Sequence, residues 1–146
     1  MSWVATEMQG IEMGDQRLNE RAMCLLDSLT SQPNMSIPTA CRSWVETQAA
    51  YRFFDNGKVT AEKVWLPLQQ ASCARLKDHE VVLCIEDTTE LEYKDPAQVR
   101  GLGPLTYAEQ RGLHLHPTLA VTPQRLCLGV LNQRMWNSGF ASVLTV

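Results

Sequence analysis

The sequence predicts an α+β chain, with helices over residues 1–77 and a three-stranded antiparallel meander over residues 78–146. Three observations carry this. Apolar residues recur at helical spacing in the first half, as Leu18, Ala22, Leu25 and Leu29. A continuous β-branched run, Val81-Val82-Leu83-Cys84-Ile85, opens the second half and suits a strand covered on both faces. Two alternating stretches, 113–121 and 126–136, then follow across a tight Thr122-Pro123-Gln124 turn, the order of an antiparallel meander.

The helices come with their stops and starts. Asp15 after Gly14 is an N-cap for the first, and Pro33 closes it. Ser36-Ile37-Pro38 starts a second, expected to carry Cys41, Trp44 and Val45 inward. A third begins at Glu46-Thr47 with Ala50, Tyr51 and Phe54 as its apolar face, and Asn56-Gly57 ends it. Thr60 caps a fourth, with Val64, Leu68, Ala71 and Leu76 on one side and a break expected at Pro67. The domain boundary falls near Lys77-Asp78-His79. Residues 94–111, with Pro96, Gly101, Gly103 and Pro104, read as a long loop.

Composition narrows the function. A hydrophobic content of 45% allows one good-sized core or two small ones. No apolar run reaches the roughly 20 residues of a membrane span, and there is no signal-peptide pattern, so the reading is a soluble, cytoplasmic chain. The five cysteines are scattered and never form C-x-x-C, which argues against a disulfide framework or a zinc ribbon and for buried, reduced thiols. A net charge of −3 is not the basic footprint of a nucleic-acid binder, so any such role needs arginines clustered on one face.

Asp87 is the sharpest chemical feature, at the C-terminal end of the predicted first strand beside Glu86. A carboxylate at a buried position is costly unless it is paired or bound to metal; the alternative is that the strand ends there in solvent. His114 and His116 share a strand face, and without a third ligand they read as packing residues. Trp3, Trp44, Trp65 and Trp136 read as core or interface anchors.

Several stretches stand out in order: Gly14-Asp15-x-Arg17 with Arg21, Ala50-Tyr51-Arg52-Phe53 followed by Asn56 and Val59-Thr60-Ala61-Glu62, and Ile85-Glu86-Asp87-Thr88-Thr89 with Leu91 and Tyr93. Arg111-Gly112, His116, Gly129-Val130-Leu131 and Trp136 continue the series. Together and in this order they resemble bacterial insertion-sequence DDE transposases of the Tn-five type. The resemblance implies a helical domain that binds double-stranded DNA at transposon ends, with Arg17, Arg21 and Arg52 as DNA contacts. Arg42 lies outside the matched motifs. It implies next the start of an RNase H-like nuclease core, in which three carboxylates hold two Mg²⁺ or Mn²⁺ ions for transposition chemistry. Asp87 matches the first of the three, as catalytic residue and metal ligand.

The second and third carboxylates have no match here, and from Asn137 onward the chain leaves the family's pattern and carries no charge. The expectation is a truncated cut-and-paste transposase that binds transposon-end DNA without binding metal productively. Its alternatives are a non-catalytic competitor of the full-length enzyme and a non-functional remnant. Its partners would be DNA and a second copy or the full-length transposase. An unpaired edge on the first strand would favour self-association.

Overall fold

In the computed structural model the chain forms two compact units, residues 1–71 and 72–146. The structure describes residues 3–107 and 109–139 and the backbone of 144–145. The expectation about the uncharged tail therefore falls mostly outside the described residues. Among them no helix is long and apolar enough to cross a membrane.

The helical unit holds α1 (Trp3–Glu7), α2 (Gln16–Ser31), α3 (Ile37–Ala40), α4 (Trp44–Phe54) and the first turns of α5 (Ala61–Leu76). Gly14 sits at φ +80°, a region open to glycine at little cost. It delivers the chain to Asp15, whose side chain accepts from the Arg17 amide at 3.0 Å and caps α2. Ala22 and Leu25 of α2, Ala50 and Phe53 of α4, Cys41, and Val4, Met8 and Met13 form the core, with Leu18, Val64 and Leu68 packed on it.

Three helical expectations are corrected. The second helix stops at Ala40, and Ser43 caps a new one by accepting from the Glu46 amide at 3.2 Å. Trp44 and Val45 thus open α4 and lie 72% and 76% exposed instead of inward. The inward stripe of α4 is Thr47, Ala50 and Phe53, while Tyr51 and Phe54 are exposed. Each residue turns the side chain by about 100°, so a stripe centred on Ala50 takes Phe53 and excludes Tyr51. Pro67 does not break α5, which runs unbroken over 16 residues. The expected buried thiols reduce to Cys41; Cys24, Cys73, Cys84 and Cys127 are exposed, and all five are free.

The sheet unit is built on β4 (Arg111–Val121), the longest strand. Along one side of it lie β1 (Leu83–Glu86) and β2 (Thr89–Glu92), end to end with Asp87-Thr88 in the gap; β3 (Gly103–Pro104) continues that side. On its other side lies β5 (Cys127–Trp136), followed by β6 (Leu144–Thr145). The antiparallel β1–β4–β5 order is the predicted meander. The expected long loop holds a 3-10 turn (Pro96–Gln98) and β3. Thr122 closes the β4–β5 turn, its amide donating to the Leu126 carbonyl at 2.9 Å.

Gly112 belongs to a close approach: a Cβ there would collide with the Leu91 carbonyl of β2 and the Leu105 side chain. Gly129 is equally crowded, facing Ser72 and Arg75 at the end of α5, and Arg75 Nε donates to the Leu128 carbonyl. The last turn of α5 therefore goes with the sheet, ahead of the boundary read from sequence. One strand expectation fails. All four β1 residues are exposed, with Leu83 and Ile85 each at 48%. β1 is a half-covered side strand, not one buried on both faces.

Candidate functional site: an exposed helix ridge and a polar sheet face

In the helical unit, α4 turns Thr47, Ala50 and Phe53 to the core, so its other side carries Trp44, Val45, Gln48, Tyr51, Arg52 and Asp55, all exposed. Trp44, Gln48 and Arg52 fall at i, i+4 and i+8 and form one ridge along the helix. Tyr51, Arg52, Phe54 and Asp55 line a shallow hollow at its C-terminal end. A tryptophan 72% exposed is unusual, since its large ring is ordinarily mostly buried. The turn that leads into this helix is Cys41-Arg42-Ser43, and Arg42 takes φ +59° there, a region costly for any residue with a Cβ.

Of the sequence-derived contacts, Arg17 and Arg21 sit one turn apart on a flank of α2, and Arg52 projects from the outward face of α4. Among the described residues none of the three makes an ion pair, so Glu20 and Glu46 do not occupy them; Glu20 instead accepts from Gln16 at 3.0 Å. Arg52 in the last turn of α4 also complements the helix dipole. Trp44 and Gln48 were not among the sequence-derived candidates. Their signal was the serine at 43, an N-cap that shifts the helix start and turns Trp44 outward.

In the sheet unit, Asp87 lies exposed in the gap between β1 and β2, its Oδ1 accepting from the Thr88 amide at 2.8 Å. No group of three His, Cys, Asp or Glu side chains comes together among the described residues. The residues present thus do not fit the two-metal set implied by the resemblance.

The register sorts the sheet into two faces, since directly opposed residues point the same way. Ile85, Leu91, Leu113, Leu115, Leu119 and Met135 share the apolar one. The other carries Glu86 and Glu90 from the first side, His114, His116 and Thr118 from β4, and Arg134 and Trp136 from β5. Thr118 donates to Glu86 at 2.8 Å, and the Thr88 hydroxyl meets His116 Nδ1 at 2.7 Å. Glu90 accepts from the hydroxyl and amide of Thr106 at 2.7 and 2.9 Å, and these bonds, with a smaller pull from His114, hold its carboxyl below its ordinary value. His114 stacks on Trp136, ring centroids 5.4 Å apart, so the histidine pair does pack on its face.

A comparison with curated proteins finds no match. Residues 1–59, ending just past α4, match the transposase DNA-binding family, so this stretch is similar to the DNA-binding part of a transposase.

Proposed function

We propose that the chain binds double-stranded DNA at transposon ends through its helical unit, with α4 as the helix laid against the duplex. The observation that carries this is the exposed Trp44–Gln48–Arg52 ridge inside the stretch that matches the transposase DNA-binding family. The three-residue turn between α3 and α4 has the length of a helix–turn–helix connection, a motif whose second helix enters the major groove with its N-terminal residues at the base edges. On α4 that places Trp44 and Gln48 at the bases and Arg52, two turns on, at the backbone. An apolar ring can contact a thymine methyl, and a glutamine can pair with adenine through two hydrogen bonds. Arg17, Arg21 and Arg42 supply phosphate contacts.

The Tn-five-like affiliation and the reading of the sheet unit as the opening of an RNase H-like core belong to the same proposal. They rest on the β1–β4–β5 meander and on Asp87 at the end of β1. With Asp87 as the one matched carboxylate, these residues bind DNA without cutting it. A chain that occupies ends in this way competes with an enzyme carrying the full set.

Anisotropy titration of the full chain with duplex DNA tests the reading. Arg52→Ala is expected to weaken binding by about 1–3 kcal/mol if it meets a base edge, and mainly to reduce the salt slope if it meets phosphate. Affinity unchanged when Trp44, Gln48 and Arg52 are all replaced by alanine would remove α4 from the interface.

A further inference from the structure

The polar face of the sheet holds a hollow of about 430 Å³ lined by Thr88, His116, Arg134 and Trp136, within the size range of small-ligand sites. All four residues belong to the sheet unit, and the hollow needs an explanation of its own. Its charges are graded across the strands. Glu86 and Glu90 stand on the β1–β2 side, each engaged by a threonine hydroxyl; the histidines run down β4; Arg134 stands on β5. Arg134 is exposed and makes no ion pair among the described residues.

Trp136 is one register step from Arg134 on the same face and half-buried, steadied by His114. His116 is tilted against the same indole, 6.5 Å away, its Nδ1 engaged by Thr88 and its Nε2 3.8 Å from Glu86 Oε2. A free guanidinium beside a steadied indole can take one anionic group next to one flat ring. Arginine meets phosphate with two parallel hydrogen bonds, and indole faces take stacked bases irrespective of sequence. A duplex cannot use such a hollow, because its base faces are covered by their neighbours.

We infer that this hollow binds one unpaired nucleotide, its base against Trp136 and its phosphate against Arg134. The inference does not rest on α4 binding duplex DNA, and the two can fail separately. The occupant is a nucleoside monophosphate unit, supplied by a single strand or as a free nucleotide.

The test is anisotropy of labelled oligothymidylate with the full chain, each variant's melting temperature being recorded. Arg134→Ala and Trp136→Ala are each expected to weaken binding about tenfold, in keeping with stacking and phosphate contacts. Trp136→Phe should retain most of it, and Trp44→Ala with Arg52→Ala should leave it unchanged. Competition by dTMP at a concentration matching the oligonucleotide's nucleotide content identifies the free nucleotide as occupant, and failure to compete identifies the strand; either supports the pocket. Should Trp136→Ala lower the melting temperature, the exposed Arg134→Ala decides alone. Unaltered binding by Arg134→Ala overturns the inference, as does loss of single-strand binding in the α4 variant.

Discussion

Arg42 occupies the turn before α4 with φ +59°, where a Cβ costs about 1–2 kcal/mol against glycine. A strained residue persists where something else depends on its side chain. Here that is a guanidinium two residues ahead of the helix proposed to meet DNA. Arg42→Gly is expected to stabilise the chain by about 1 kcal/mol in chemical denaturation while weakening duplex binding. Equal or tighter DNA affinity would leave the strain without a functional cause. Sequence placed Arg42 outside the matched motifs, because spacing carries no sign of a positive φ. By contrast Asp15 is legible as a cap and is one, and Gly14 before it takes φ +80°. Two of the residues in that motif are thus accounted for by local structure, and only Arg17 and Arg21 are left free for a ligand. Arg111-Gly112 divides similarly, since Gly112 answers to the Leu91 carbonyl.

At the scale of elements, caps and β-branched runs were readable and faces were not. Ser36 and Thr60 lead into helices as read, and the β4–β5 turn lies at Thr122. The start of α4 moved from Glu46 to Trp44 because Ser43 caps it, and that small shift separates a buried tryptophan from one offered to solvent. Apolar throughout, the β1 stretch reads as covered, but coverage depends on what packs over it, which local sequence does not specify. Pro67 is the plainest conflict between propensity and structure. It stands within α5, where proline lacks the amide that would bond to the carbonyl four residues back. The penalty is near 3 kcal/mol against alanine. Its ring is buried, so replacement also loses packing, and the unfolded chain gains freedom. Pro67→Ala is therefore expected to raise stability by a net of about 1–2 kcal/mol, read as a higher denaturant midpoint with the slope unchanged. A fall in the midpoint would mean that the ring's contacts outweigh the missing bond.

For the molecule as a whole, the open side of the sheet governs behaviour in solution. β1 pairs with β4 on one edge, and among the described residues its other edge faces no strand. β6 adds to β5 on the opposite side of the sheet, so it leaves that edge as it is. Val81, Leu83 and Ile85 stand 55%, 48% and 48% exposed along it, and the segment from Val81 to Ile85 carries no charge, proline or glycine. Natural edges are usually blunted by a lysine, a proline or a bulge, and this one has none of them within that segment. An uncharged β-branched edge is a template for pairing with a second copy. The chain is therefore expected to self-associate with rising concentration in sedimentation velocity, and Ile85→Lys should shift it toward monomer. Because Ile85 is already half-exposed, a lysine there can reach water and should leave the thermal melt nearly unchanged. Hydrogen exchange adds a second reading: those amides of residues 81–85 that point to the open edge should be protected only when the chain is associated, while those of α2 and α4 stay protected at every concentration. A wild-type chain that remains monomeric throughout would refute this edge as the contact, as would association that Ile85→Lys leaves intact.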